Sequence, residues 1–253
     1  MREVFPGSRD LSEDAVEQLY TYPDRPKWVA VNFVSSADGA IAIEGRSGGL
    51  STPADRIVYR LGNDLADVLL VGAGTAMAEG FEGLRPDEQT AERRRRHGLA
   101  PIAPIAVVST GRSLPPDAPV ITRALVPTIV VTSEATDPGL RAAWTEAGAD
   151  VLTVGTAVPD LALAVDMLAR RGLRRIDCEG GPRLFASLLA VNAVDELRLT
   201  VSPTLVAGGA PRVTMGDAID PKRLELLSVL VEDSSVLLRY RVLAVREGNP
   251  EGL

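Results

Sequence analysis

The chain has 253 residues, 45% apolar and 24% charged, long enough to bury a sizeable core as one large domain or two small ones. One cysteine excludes an intrachain disulfide framework, and His97 with Cys178 leaves too few soft ligands for a Cys/His zinc site. His97 would also be the sole base of any Ser-His-Asp triad, and a net charge of −7 argues against nucleic acid as a partner.

The N-terminus, MREVFPGSRDLSED, lacks the apolar core of a secretory signal, and no run approaches the ~18 apolar residues of a membrane span. The expectation is a cytoplasmic chain with no membrane contact and no bound metal. Residues 1–27 read as an arm, with prolines at 6, 23 and 26 around a helical stretch at Ser12–Tyr20. Residues 28–253 read as one domain. Trp28–Val34 is a β-branched-rich strand, and Pro53–Asp67 has helical spacing, with Ser51 or Thr52 as cap and Pro53 in the first turn. Val68–Gly72 is a buried strand. Asp87–His97 is helical, Ile105–Val108 and Thr128–Val131 are strands, and Pro138–Ala147 is a helix closed by Gly148. Val151–Val154 and Arg175–Cys178 are strands, alternating with the helices Pro159–Arg171 and Pro182–Ala190. Then the register changes: Glu196–Val201 is a strand, and Leu224–Val231 with Val236–Val245 form an antiparallel hairpin around EDSS.

Strands alternating with helices predict an α/β fold, a mainly parallel sheet flanked by helices, with the hairpin as antiparallel edge strands. The long apolar strands of that hairpin want cover, which points to a homo-oligomer. The run Arg93–Arg96 closes PDEQTAERRRRHG, acids first and bases last, as the helix dipole favours. It reads as a solvated helix end rather than a nucleic-acid patch.

Ligands of open α/β sheets gather at the carboxyl ends of strands, and three such ends carry glycine. Gly72-Ala73-Gly74-Thr75 follows a buried strand and reads as either a ligand loop or a tight turn; its spacing is neither a Rossmann fingerprint nor a P-loop. Glu179-Gly180-Gly181 precedes a helix opened by Pro182, a natural pyrophosphate seat, and a bound anion would explain Arg183 in the first turn. The alternative is a plain β–α turn. Ser109, Thr110 and Arg112 offer hydroxyls and a guanidinium, either to a phosphate such as the 2′-phosphate of NADP or to solvent in a surface turn. After the first strand, Ser35, Ser36, Asp38 and Gly39 form either a turn or a polar substrate edge.

The segments SSADGAIA, GGLSTPADR, LADVLLVGAGTAMAEG, VVSTGR and CEGGPRLFASLLAVNAVDELRLTVSPTLVAGG, in that order, resemble the reductase domain of bacterial riboflavin-biosynthesis proteins over roughly residues 27–245. The resemblance implies a dihydrofolate-reductase-like, three-layer αβα fold. It implies NADPH-dependent reduction of the ribosyl group of a 5-amino-6-(phosphoribosylamino)uracil-type substrate, and a homodimer. Under it, Gly72, Ala73, Gly74 and Thr75, with Glu179, Gly180, Gly181, Pro182, Arg183 and Leu184, line the cofactor. Ser109, Thr110 and Arg112 face its 2′-phosphate. Asn32, Ser36 and Asp38 are the catalytic candidates, with Gly39 bordering the nicotinamide. Hydride transfer needs no nucleophile and no metal, which suits a chain almost empty of Cys and His.

Three departures fall on the substrate side. The family's Asp-Asp-Pro is replaced at Glu79, Gly80 and Phe81 with only Arg85 following, its Leu-Arg-Ala is Leu61-Gly62-Asn63, and a tryptophan position is Gly49. Another heterocycle such as dihydrofolate, or NADPH binding without turnover, are the competing readings. The zinc deaminase that accompanies many relatives is absent from this sequence, so that step is expected of another protein.

Overall fold

The computed structural model describes residues 1–243; Ala244 and Val245, the end of the expected last strand, lie outside the described residues. The chain runs through β1 (Arg2–Phe5), β2 (Arg9–Asp10), α1 (Glu13–Tyr20), β3 (Trp28–Ser36), α2 (Pro53–Leu65), β4 (Val68–Gly72) and α3 (Ala73–Glu79). It continues through α4 (Glu88–Arg96), β5 (Ile105–Val108), α5 (Pro119–Thr122), β6 (Ile129–Thr132), α6 (Pro138–Glu146) and β7 (Asp150–Thr153). The last elements are α7 (Leu161–Arg170), β8 (Arg175–Cys178), α8 (Pro182–Ala190), β9 (Glu196–Ser202), β10 (Leu224–Glu232) and β11 (Ser235–Val242).

Local chemistry sets the boundaries. The α2 helix starts where Thr52 Oγ1 accepts from the Asp55 amide at 3.2 Å and Pro53 has no N–H to leave unpaired. Asp87, Asp137 and Asp160 cap α4, α6 and α7 in the same way.

All the strands form one 11-stranded sheet, in the order β2-β1-β10-β11-β9-β3-β8-β4-β5-β6-β7. From β9 to β7 neighbours are parallel; from β9 outward to β2 they are antiparallel. One face packs Val16, Leu61, Leu65, Ala76, Ile121 and Trp144 from α1, α2, α3, α5 and α6. The other packs Leu161, Val165, Leu168, Leu184, Phe185 and Leu188 from α7 and α8. Three layers result. Burial on both faces explains why β4 reads VLLVG without alternation.

Three expectations are corrected. The hairpin is not at the edge: β1 of the N-terminal arm pairs with β10, so β2 and β7 are the outer strands. The arm is thereby built into the sheet, through strands too short for periodicity to reveal. Arg93 and Arg94 are not solvated. Arg93 bonds Asp64 and, through Nε, Glu17 at 2.8 Å, while Arg94 Nη1 donates to the Asn63, Asp64 and Ala66 carbonyls at 3.3, 3.1 and 2.9 Å. Those carbonyls close α2, where the Asn63 carbonyl accepts only a long bond from the Ala66 amide at 3.4 Å, so a guanidinium suits them. His97 joins the same knot through Glu17, at 2.8 Å.

Candidate active site

The glycine-bearing ends of β8, β4 and β5 lie side by side in the sheet. Gly72 closes β4 and caps α3, and Gly181 caps α8, so two helix N-termini open onto one crevice. The expected loop at Ala73–Thr75 is therefore the first turn of a helix. The Gly72 amide donates to the Gly180 carbonyl at 2.8 Å, tying the two turns together. Gly180 sits at φ +73°, and a side chain there would meet the Phe33 ring at 2.7 Å. A Cβ on Gly181 would lie 2.3 Å from Thr75 Oγ1, whereas one on Gly74 would meet nothing within 4 Å. Gly181 is thus required by protein contact, and Gly74 leaves open space in front of a helix terminus.

Beside the crevice lies a cavity of about 650 Å³, the size of a small-molecule site. Asn32 and Phe33 of β3, Gly74 and Thr75 of α3, and Glu179, Gly181 and Pro182 border it. The opposite wall comes from α2 (Ser51, Asp55, Arg56 and Tyr59) and from residues 78–84. Four carboxylates, Asp55, Glu79, Glu82 and Glu179, and one guanidinium, Arg56, line it. Three of the four acids have partners: Asp55 accepts from Ser51 Oγ at 2.6 Å, Glu79 from the Ser47 amide at 2.9 Å, and Glu82 from Arg123 at 2.9 Å. Glu179 Oε1 is buried and has none. Burial, with Asp177 beside it, holds the Glu179 carboxyl well above the usual carboxylate range.

Ser109 follows β5 beside the end of β4, but its Oγ accepts from the Gly111 amide at 3.1 Å. Thr110 and Arg112 are exposed, as is Arg183 in the first turn of α8, while Leu184 is buried in the core. The three catalytic candidates do not stay together. Asn32 is buried and lines the cavity, whereas Ser36, Asp38 and Gly39 lie outside its lining. Asp38 is exposed and its oxygens are taken by Ser36 Oγ and by the Val206 and Ala207 amides, the latter at 2.7 Å. The Ser36 hydroxyl, followed by these amides, holds its carboxyl below the ordinary value. Asp38 therefore pins the 203–209 loop to the end of β3.

The model of the RibD C-terminal domain matches residues 27–238. The chain belongs to the RibD C-terminal domain family. It is 31% identical, over 84% of its length and 98% of the relative, to the 2,5-diamino-6-ribosylamino-4(3H)-pyrimidinone 5′-phosphate reductase of Archaeoglobus fulgidus. The protein of the same name from Methanothermobacter thermautotrophicus is 28% identical over 85% of this chain and 98% of the relative. A pyrimidine reductase-like protein from Corynebacterium diphtheriae, 21% identical, shares the fold at a TM-score of 0.78, over 90% of this chain and 99% of that one.

In this RibD C-terminal domain the α2 wall is what motif reading missed. Asp55, Arg56 and Tyr59 enter the cavity because Thr52 and Pro53 start the helix at its rim. The helix-start signal was visible in the sequence; that it faced β8 across the sheet was not.

Proposed function

We propose that the protein is an NADPH-dependent reductase that converts the ribosyl group of an aminopyrimidine ribosylamine 5′-phosphate to its ribityl form. The 2,5-diamino-pyrimidinone is the preferred substrate. The observation that carries this reading is the pairing of two helix N-termini, at Gly72 and Gly181, with a half-buried cavity holding one unpartnered carboxyl, Glu179. Gly72–Thr75 and Gly180–Leu184 would hold the pyrophosphate and nicotinamide, since free helical N–H groups and open space at Gly74 suit an anion. Ser109, Thr110, Arg112 and Arg183 would surround the adenosine end. When bound, the dihydronicotinamide supplies a hydride.

The residues of the chain supply position and a proton. Asn32 and Phe33 form the floor on which the acceptor rests, and α2 with residues 78–84 shields it from water. Glu179 gives a proton to the heteroatom of the reduced bond as the hydride reaches its carbon. The surplus of carboxylates favours a ring with exocyclic amino donors, which supports the diamino form over its uracil counterpart. It also favours a second reading, a dihydropteridine such as dihydrofolate, whose 2-amino edge offers the same donors. The single arginine of the cavity, Arg56, is the group placed to meet a substrate phosphate.

Purified protein with NADPH should oxidise the cofactor on addition of the diamino-pyrimidinone phosphate and form the ribityl product by mass. Faster oxidation with the uracil form or with dihydrofolate would replace the substrate. Bound NADPH with no oxidation by any of them would leave a binding protein and refute the reductase.

Two copies are proposed to pair through the outer face of β9, β11 and β10. Leu199, Leu238 and Val229 stand opposite one another there, next to Val201, Val236 and Val231, and all six are only half-buried. Among the described residues no helix is long and apolar enough to cross a membrane, and a cytoplasmic setting is proposed with the reaction.

A further inference from the structure

Asp177, in the middle of β8, is fully buried and neither of its carboxyl oxygens has a hydrogen-bond partner. Its room was made by α2: a Cβ on Gly62 would lie 2.4 Å from Asp177 Oδ2. The departure at Leu61-Gly62-Asn63 is therefore the other half of a pair, a missing side chain that makes space for a carboxyl. Two residues on along the same strand face stands Glu179, the unpartnered acid of the cavity. Leaving two carboxylates side by side in a buried site, with no donors, is among the costliest arrangements a fold can hold.

We infer that Asp177 is a positioning residue, a carboxylate that shares one proton with Glu179 and so keeps Glu179 protonated toward the cavity. This rests on the reductase reading of that cavity. Every charged or titratable neighbour fits one proton for the pair. From β9, Arg198 approaches Asp177 at 4.0 Å, but its Nε is bonded to Glu196 at 3.0 Å and its Nη1 has no partner. Arg239 of β11 is likewise held by Glu196, at 2.8 Å. Arg198, already shared with Glu196, is thus the cation that approaches Asp177; at Glu179 it acts less than burial and the like charges do, and Arg56 of the cavity wall is bonded to the Ser51 carbonyl at 3.4 Å. On the Glu179 side α2 adds Asp55, a further negative charge, and Tyr59; beyond Asp177 lies Tyr22, buried, its hydroxyl without a hydrogen-bond partner. Burial first, then the like charges, push Glu179 upward, while Arg198 leaves Asp177 the better carboxylate of the two.

The step balances. The ribosyl C1′ takes the hydride as its bond to the ring oxygen breaks, the electron pair of that bond stays on the ring oxygen, and that oxygen takes the Glu179 proton. Glu179 is left as a carboxylate beside Asp177 and regains a proton from water at the cavity mouth. Without Asp177, Glu179 would lose its proton at a lower pH and cease to be an acid where the enzyme works.

The test uses the whole chain without cofactor or substrate. Carbon-13 carboxyl NMR should find one shared proton at neutral pH, a signal lost in Glu179→Gln. In Asp177→Asn, which keeps the shape fitted to Gly62, the Glu179 midpoint should fall by about one pH unit or more. Tyr22→Phe, which removes the buried hydroxyl whose presence lowers Asp177, should raise the pair's midpoint, and this opposite shift decides the matter if Asp177→Asn does not fold. With substrate, kcat of Asp177→Asn at neutral pH should drop about tenfold, recover on acidification, and leave KM within about twofold. Midpoints and pH profile unmoved in both variants, or two ionised carboxylates in the wild type at neutral pH, would overturn the assignment. If no substrate is turned over by the wild type, the reductase reading fails, while the titration still decides whether the pair holds a proton.

Discussion

Gly181→Ala is the smallest change that tests the proposed cofactor crevice. The added carbon would stand 2.3 Å from Thr75 Oγ1, about 1 Å inside ordinary contact, and the opposing atom belongs to a short side chain on the first turn of α3. The two helix N-termini must therefore separate, and overpacking of this kind costs about 1–3 kcal/mol. If the separation falls on the anion seat, NADPH affinity should drop about 5- to 150-fold, at about 1.4 kcal/mol per tenfold. Calorimetric titration of NADPH reads this directly, and thermal melting of the free protein shows how much strain reaches the fold. Thr75→Ala in the same chain removes the opposing oxygen, so the double variant should regain most of the affinity lost by Gly181→Ala. Near-normal NADPH binding in the single variant, with an unchanged melting temperature, would refute the placement of the cofactor between α3 and α8.

Four other outcomes are expected. Arg112→Ala should narrow the preference for NADPH over NADH without weakening NADH, as competitive titrations would show; an unchanged ratio moves the 2′-phosphate elsewhere. Leu238→Arg, on the outer face of β11, should convert a dimer to a monomer in sedimentation velocity, and a variant still dimeric would clear that face. Arg93→Ala leaves Glu17 and Asp64 as buried acids and should cost about 3–5 kcal/mol in urea unfolding, whereas the exposed Arg95→Ala should leave the unfolding midpoint nearly unmoved. Burial acts to raise the Glu196 carboxyl, but Arg198 and Arg239 overcome it and hold it at about 2. Since its folded value lies below the unfolded one, this carboxylate stabilises the fold above about pH 4.5, and that contribution is lost as pH falls toward 2. Glu196→Gln should lower stability at neutral pH and flatten the acid limb of unfolding; an acid limb identical to wild type would assign the loss to other groups.

What was legible in the sequence was local. Caps at Thr52, Asp87 and Asp137, apolar runs such as VLLVG, and glycines that must sit between a strand and a helix each act within a turn or two of themselves. That is why the parallel half of the sheet and the Gly72 and Gly181 crevice were readable residue by residue. The arm was not, because β1 and β2 hold only four and two residues and their pairing with β10 spans the whole chain. Nor were the roles of the charged residues. A guanidinium on a carbonyl cluster and one in solvent look alike in a string of arginines, and only the ends of α2 and α4 meeting decide between them. Nor were the partners of Asp38 legible; its carboxylate accepts from two amides more than 160 residues away.

The substrate side departs from the family pattern, and the geometry makes those departures coherent rather than a list of losses. Gly62 gives up a side chain where Asp177 needs space, and Gly49 sits 3.2 Å, by its would-be Cβ, from Ile43 in the loop over the cavity. Glu79, where the family pattern has an aspartate, bonds the Ser47 amide and so braces that same loop. Gly62 thus makes room for a buried carboxyl, Gly49 lets the loop lie close, and Glu79 adds a carboxyl to the cavity wall. A cavity altered in that direction should discriminate between rings by their amino donors, because an unmet carboxylate costs more than a lost phosphate contact at an exposed rim. The ratio of kcat/KM for the diamino-pyrimidinone over its uracil counterpart is therefore the quantity most sensitive to the acids of this wall. Asp55→Asn should lower that ratio even where it leaves NADPH binding intact.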